Sequence, residues 1–183
     1  QVPNPVSAQN SFAEVNRTIQ PKLAKIYGAG GLKGLEAYQS GLLVSAEGHI
    51  LTVWSYVLDA DVVTVILDDG RKFTAELVGM DPRLEIAILK INAQELKHFD
   101  LKQPAELIGG DRVLAFSNLY GVATGNEASS VLHGQVTAVT DLAARRGAIA
   151  SPYQGRVYVV DAMTNNPGAA GGALTDRRGR LAG

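Results

Sequence analysis

The sequence contains no cysteine, few aromatic residues and almost no net charge, which is −1 over 183 residues. The lack of cysteine excludes disulfides, thiol nucleophiles and thiolate metal sites. Basic residues form only two short clusters, so the electrostatic pattern of a nucleic-acid-binding protein is missing. No apolar run approaches the ~20 residues of a membrane-spanning helix. The three histidines lack the spacing of a local zinc motif. We therefore expect no metal, no cofactor, no nucleic acid and no membrane span in these residues.

Short apolar runs separated by glycine-containing turns fill most of the chain. Asp68-Asp69-Gly70-Arg71 is the clearest hairpin signal, because an Asp-Gly pair suits positive φ. Near the start, Phe12, Val15 and Ile19 give one apolar face to a short helix. The predicted strands are Leu23–Tyr27, Gly41–Ser45, Ile50–Trp54, Val62–Leu67, Lys72–Val78, Ile86–Ile91, Arg112–Phe116, Val131–Val139, Val157–Val160, Ala173–Thr175 and Leu181–Ala182. This pattern predicts an all-β barrel or sandwich.

The stretch Asn165–Leu174 reads Asn-Asn-Pro-Gly-Ala-Ala-Gly-Gly-Ala-Leu. Proline restricts φ and glycine permits positive φ, so such a loop can aim successive backbone N–H groups into one small space. It resembles the nucleophile loop of the HtrA (Deg) family of trypsin-like serine proteases, which reads Asn-Pro-Gly-Asn-Ser-Gly-Gly-Pro-Leu. The resemblance places the family's serine on Ala170 and its oxyanion-hole amides on Gly168 and Ala170.

Two further blocks carry the same resemblance, which extends from about Val15 to the last residue. Ser40–Thr52 is similar to the family's Gly-Ser-Gly-Val-Ile-Ile-Ser-x-Asp-Gly-Tyr-Ile-Leu-Thr, and counting onward places the family's catalytic histidine on Ser55. Leu67–Ile91 is similar to the segment that ends in the family's Leu-Ala-Leu-Leu-Lys strand. The catalytic aspartate just before that strand falls on Glu85.

The resemblance implies the family's fold, in which two perpendicular six-stranded β-barrels flank the active site. It divides the chain into a lead-in with a short helix over 1–22, a first barrel over 23–95, a linker over 96–104 and a second barrel over 105–183. In the family the second barrel continues with another strand and a C-terminal helix. We therefore expect this barrel to be incomplete at residue 183 and the natural chain to be longer.

The wall of the family's primary specificity pocket falls on Asp161, Met163, Thr164 and Asn165. In the family an aspartate stands eight residues before the serine, whereas Asp161 stands nine before Ala170. This segment therefore carries one extra residue, and the resemblance does not fix the shape of the pocket.

Serine proteases need a histidine that takes the proton from serine and a buried carboxylate that orients the histidine. Ser55, Glu85 and Ala170 supply neither an imidazole nor a nucleophilic hydroxyl, and a serine does not titrate near neutral pH. We predict a catalytically inactive homologue, a pseudoprotease. The alternative is an active HtrA-type endopeptidase captured with its serine changed to alanine. Changes at two positions favour the first interpretation, because one change is enough to abolish activity.

Two kinds of side chain have alternative interpretations. We expect His49 on a half-exposed strand, His98 in a solvated connection and His133 on a strand outside the cleft. The alternative for His133 is that it crosses into the cleft and replaces the missing catalytic histidine. Trp54 is expected either to pack in the core or to fill the space of the missing histidine next to Ser55.

For function, the resemblance implies a peptide- or protein-binding module in the bacterial envelope, most simply the periplasm. Its ligands would be peptides or unfolded protein segments, bound by β-addition to a strand edge. The family commonly forms trimers, so a homo-oligomer or a complex with an active HtrA-like subunit is expected. The remaining hypothesis is a purely structural domain of a longer chain, since the family usually carries a peptide-binding PDZ domain after the protease domain.

Overall fold

The computed structural model describes residues 12–29, 37–142, 145–146, 149–150, 153–163 and 165–183. One α-helix, α1, spans Phe12–Ile19 and buries Val15 and Ile19, as the apolar spacing predicted. Within the described ranges, no helix has the length and apolar character needed to cross a bilayer. The helix packs instead onto a cluster of buried residues from both halves of the molecule.

The first half is a closed antiparallel barrel. Its strands are β1 Leu23–Tyr27, β2 Tyr38–Leu43, β3 His49–Val53, β4 Val63–Ile66, β5 Lys72–Asp81 and β6 Ile86–Lys90. They pair in the order β1-β2-β3-β6-β5-β4, and β4 pairs back onto β1. Because the barrel is closed, each strand has a hydrogen-bonded neighbour on both sides. Alternate residues of the strands fill the interior with aliphatic side chains. Ile26, Ile50, Val65 and Leu89 are fully buried there.

The second half is an open four-stranded sheet. Its strands are β7 Arg112–Ser117, β8 Ser130–Asp141, β11 Arg156–Val160 and β12 Ala173–Asp176, and β9 Arg145–Arg146 with β10 Ile149–Ala150 form a separate two-stranded hairpin. The sheet order is β11-β8-β7-β12. The predicted all-β architecture is confirmed, with one closed barrel and one half-barrel. Predicted and observed strand ends differ by no more than three residues, except that Leu181 makes a single bridge to Thr175.

The connection between β7 and β8, residues 118–129, lies across the first barrel. Lys25 on β1 is almost fully buried and donates from Nζ to the carbonyl oxygens of Gly125 at 2.6 Å and Glu127 at 2.8 Å. Burial lowers the pKa of this amine, because the charged form loses hydration. The two carbonyl oxygens compensate part of that loss and fasten the connection to the barrel.

Further hydrogen bonds fix both ends of the same connection. The Tyr27 hydroxyl donates to the Ala123 carbonyl at 2.7 Å and accepts from Asn118 Nδ2 at 2.9 Å. At the other end, Gln20 and Ser129 exchange two hydrogen bonds of 2.9 Å. The two halves therefore have a defined relative position, and the site lies where they meet.

Candidate functional site

Glycine determines the path of the loop that precedes β12. Gly168 and Gly171 have φ values of 84° and 76°. A Cβ atom would lie 2.1 Å from the Asn118 carbonyl oxygen at the first position and 2.1 Å from the Ser40 carbonyl oxygen at the second. Any larger residue would clash with backbone, so this path requires glycine at both positions.

Ser40 on β2 anchors this loop to the first barrel. Its hydroxyl donates to the Gly168 carbonyl at 2.7 Å and accepts from the Asn118 N–H at 2.8 Å. Its own N–H donates to the Ala170 carbonyl at 2.9 Å. One buried residue therefore holds two carbonyl groups of the loop in place.

Ser55, which the resemblance aligns with the family's histidine, begins the short 3₁₀ turn Tyr56–Leu58. Its Oγ accepts from the Val57 N–H at 3.1 Å, as an N-terminal cap does. The same hydroxyl donates to Gln39 Oε1 at 2.5 Å. Its only proton is therefore already committed within the protein.

Gln39 continues this contact into a buried chain of hydrogen bonds. It is 2% exposed, and its Nε2 donates to Thr52 Oγ1 at 2.8 Å and to the Val53 carbonyl at 2.9 Å. Thr52 in turn donates to the Ser40 carbonyl at 2.6 Å. The chain links Ser55 through Gln39, Thr52 and Ser40 to the loop before β12.

A cleft of about 350 Å³ opens between these elements. The described residues that line it include no carboxylate, lysine, arginine or histidine; they are Tyr38, Gln39, Ser55, Tyr56, Val57, Asn165, Asn166, Pro167, Gly168 and Ala170. The structure thus brings Ser55, Gly168, Ala170 and Asn165 to one cleft. The fold provides space for a ligand where the resemblance places the family's active site.

Glu85, aligned with the family's aspartate, does not line this cleft. It is exposed with φ 55°, and its backbone carbonyl accepts from the Trp54 N–H at 2.9 Å. Its carboxylate makes no hydrogen bond within the described part of the chain. Trp54 is 43% exposed and also absent from the cleft lining, so the expectation that it packs in the core is wrong.

The residues predicted for the pocket wall separate in the structure. The Asp161 carboxylate accepts from the Gln135 N–H on β8 at 2.7 Å and lies outside the cleft lining. Met163 is 68% exposed and also lies outside it, so of this set Asn165 lines the cleft. Thr164 lies outside the described residues.

The histidines make local contacts away from the cleft. His49 Nδ1 lies 2.7 Å from Ser45 Oγ, and His98 Nδ1 lies 3.1 Å from the Leu96 carbonyl. The His133 ring lies 4.6 Å from the Phe12 ring. Within the described ranges, no group of three histidine or carboxylate side chains is placed to hold a metal ion.

Sequence reasoning missed Gln39, although the sequence contained a signal for it. The family pattern quoted above has glycine before its Ser-Gly pair, whereas this chain has a glutamine before Ser40 and Gly41. A polar side chain in place of glycine on a buried strand needs partners for its amide group. Here Ser55, Thr52 and Val53 supply them.

Residues 39–183 match the model of the trypsin-like peptidase domain family. Over 149 residues the chain is 34% identical to the probable periplasmic serine endoprotease DegP-like of Brucella suis biovar 1. The chain belongs to the HtrA family of trypsin-like peptidases. The HtrA-type domain is also 33% identical over 144 residues to the serine endoprotease DegS of Haemophilus influenzae. The sequence similarity and the observed fold therefore indicate the same family.

The alignments cover much of this chain but less than half of these relatives. They include 80% of the chain and 27% of the Brucella protein, and 79% of the chain and 39% of the Haemophilus protein. The HtrA-type domain therefore corresponds to one part of each relative.

Solved structures support the same fold. The HtrA-type protease AlgW with a tripeptide gives a TM-score of 0.77 at 32% identity, covering 93% of this chain and 52% of that one. The apo MamO protease domain from Magnetospirillum magneticum gives a TM-score of 0.70 at 24% identity, covering 90% and 82%. The second similarity shows the trypsin-like fold alone.

Proposed function

We propose that this HtrA-type domain binds peptides or unfolded protein segments without cleaving them and acts as a binding or regulatory module. The observation that carries the proposal is the composition of the cleft. Ser55 and Ala170 line it at the positions aligned with the family's histidine and serine. A methyl group stands at 170 where the chemistry needs a nucleophile, and a hydroxyl stands at 55 where it needs an imidazole.

The contacts of Ser55 support this proposal. A general base must accept a proton near neutral pH, and an aliphatic hydroxyl cannot do so. Ser55 also donates its proton to Gln39, and none of His49, His98 and His133 lines the cleft. Removal of a nucleophile or base from a serine-protease triad lowers turnover on the order of a millionfold.

The architecture retained around the cleft supports binding. Ser40 holds the loop before β12, and a space of about 350 Å³ remains open beside it. Binding sites for small ligands commonly have volumes of about this order with a few convergent polar groups. An extended peptide can add main-chain hydrogen bonds along a strand edge, which requires no catalytic group.

Location and partners form part of the same proposal. The similar proteins from Brucella suis and other bacteria are described as periplasmic endoproteases, so we place this domain in the bacterial envelope. A trimer of the domain would place three such clefts in one assembly, and a complex with an active HtrA-like subunit would bring the cleft next to a working protease. Its effect would then be to present or retain substrate.

The test is hydrolysis and binding of fluorescently labelled, unfolded casein. We expect binding without cleavage for the unchanged protein, and no cleavage for Ala170→Ser, because Ser55 still lacks an imidazole. Cleavage by the unchanged protein that disappears when a cleft residue is mutated would contradict the proposal.

The alternative function is an active HtrA-type endopeptidase whose serine is replaced at 170. The retained glycine-dependent loop and the names of the relatives, which are serine endoproteases, favour it. Under this alternative Ala170→Ser by itself would restore casein hydrolysis. That result would also show that Ser55 does not occupy the base position.

A further inference from the structure

Gly168 and Ala170 both line the cleft, and their backbone N–H groups have no acceptor among the described residues. Among the described residues, neither the Gly168 N–H nor the Ala170 N–H donates a hydrogen bond. The neighbouring amides are occupied, since Ala169 N–H donates to the Asn166 carbonyl and Gly172 N–H to the Ala169 carbonyl, both at 3.0 Å. Two donors therefore remain available for a ligand in the cleft.

The direction of these donors follows from their carbonyl groups. In a trans peptide the C=O and N–H bonds point in opposite directions, and no described peptide is cis. The Pro167 carbonyl accepts from the Tyr120 N–H at 2.8 Å, so the Gly168 N–H points away from Tyr120. The Ala169 carbonyl accepts from Gly172, so the Ala170 N–H points away from Gly172 and the start of β12.

The electrostatic surroundings favour a negatively charged ligand group at these donors. Among the described residues that line the cleft there is no carboxylate that would repel an anion, and Glu85 and Asp161 lie outside this set. The Ser55 hydroxyl donates its proton to Gln39, whereas the Gly168 and Ala170 N–H groups donate to no described residue. Backbone N–H groups a few residues apart in a tight turn can together form an anion-binding concavity.

Ala170 provides the space for such a group. It is exposed, and its side chain ends at a methyl group, so no hydroxyl stands beside its N–H. A carboxylate has two oxygens and a full charge, whereas an internal peptide carbonyl has one oxygen and none. Charge-assisted hydrogen bonds are roughly twice as strong as neutral ones.

We propose that the cleft binds the free C-terminal carboxylate of a peptide at the Gly168 and Ala170 N–H groups. This proposal rests on the proposed function, because a binding module without cleavage can retain a peptide end that a protease would release. The ligand class is a peptide or protein fragment with a free C-terminus. Capture of a terminal carboxylate by backbone amides is an established mode of peptide recognition.

The experiment compares N-acetyl-trialanine as the free acid with the same peptide as its C-terminal amide, using ¹⁵N NMR of the folded protein. We expect the acid to shift the Gly168 and Ala170 amide signals and to bind at least about tenfold more tightly than the amide. An amidated peptide with an internal glutamate tests a side-chain carboxylate, and we expect it to behave like the amide. An equal response to that peptide would overturn the assignment to a C-terminus.

Ala170→Ser provides the variant, because its hydroxyl enters the space assigned to the carboxylate. We expect the preference for the acid to fall to about threefold or less. Ala169→Ser is the matched control, since residue 169 carries the same change but does not line the cleft. It should keep the preference of the unchanged protein.

The outcomes separate this inference from the proposed function. If unfolded casein binds but acid and amide peptides bind equally, the carboxylate proposal is wrong and the proposed function stands. If the acid binds preferentially and casein is also cleaved, the carboxylate site stands and the non-cleaving function is wrong. If neither casein nor any peptide binds, both are wrong.

Discussion

The buried polar side chains around the cleft differ in how completely their hydrogen-bonding groups are used. Gln39 donates twice and accepts once, and the Thr52 hydroxyl both donates to Ser40 and accepts from Gln39. Thr175 on β12 is also fully buried, but its hydroxyl has no partner within the described residues. A buried hydroxyl without a partner lowers stability, whereas a hydroxyl with two partners is costly to remove.

This contrast predicts opposite effects for the same substitution at two positions. Thr175→Val should keep or raise the free energy of unfolding, by up to about 1 kcal/mol, because it removes an unpaired buried hydroxyl. Thr52→Val should lower it by about 1–3 kcal/mol, because it leaves Gln39 and Ser40 with unpaired groups. Urea denaturation measures both, and equal destabilisation by the two variants would contradict the assignment of partners.

At the scale of elements, the connection of residues 118–129 joins the two halves. Lys25 and Tyr27, both on β1, hold it from the first barrel. The Tyr120 N–H at its start donates to the Pro167 carbonyl, so the connection also supports the loop before β12. A single β-strand of the first barrel thus helps to position a loop that precedes the last strand of the second half.

Tyr27 makes the strength of this attachment depend on pH. Burial raises the pKa of its hydroxyl above the ordinary value of 10.0, and the hydrogen bond from Asn118 offsets part of that rise. The unfolded chain therefore releases this proton at lower pH than the folded chain. The contribution of Tyr27 to the free energy of unfolding is fully present below pH 10. It is lost as the pH rises through the pKa of Tyr27 in the folded state.

Denaturation of the unchanged protein and of Tyr27→Phe between pH 8 and 11 would test this. The difference in free energy of unfolding should stay constant up to about pH 10 and then shrink, because phenylalanine has no proton to release. A difference that grows above pH 10 would mean that the folded state lowers the pKa of Tyr27. Using the difference between the two proteins cancels the titration of Lys25, which both retain.

At the scale of the whole molecule, one apolar cluster spans the two halves. It combines Val15 and Ile19 from α1 and Leu42 from the barrel with Phe116 from the sheet, and Phe99 joins it from the segment between them. Phe99 is 2% exposed, and its N–H donates to the Leu43 carbonyl at 2.9 Å. The barrel and the half-barrel therefore share a core as well as polar contacts.

Phe99→Ala should lower the free energy of unfolding by about 3–5 kcal/mol, because it leaves a cavity in this shared cluster. Circular dichroism and Trp54 fluorescence should follow the same transition, since both halves depend on the cluster. Val131→Ala is the control, because Val131 is 40% exposed and a change there should cost little. Two separate transitions in the unchanged protein would show that the halves unfold independently.

Many of the strands and the helix could be predicted from the sequence, because the patterns that indicate them lie within short segments of the chain. Alternating apolar residues and turns such as Asp69-Gly70 indicated the strands, and β1 and β7 begin at the predicted residues. The spacing of Val15 and Ile19 indicated the helix. These patterns extend over only a few residues, so they can be recognised without knowing which other elements pack against them.

The sequence by itself determined which chemical groups are present: an alanine at 170, a serine at 55 and no cysteine anywhere. Only the tertiary structure decided what those groups contact. The Ser55 proton goes to Gln39, 16 residues away, and Ser40 holds Gly168, 128 residues away, while Glu85 remains outside the cleft. Side-chain chemistry is a property of each residue, whereas hydrogen-bond partners depend on how distant strands are brought together, and no local pattern encodes that arrangement.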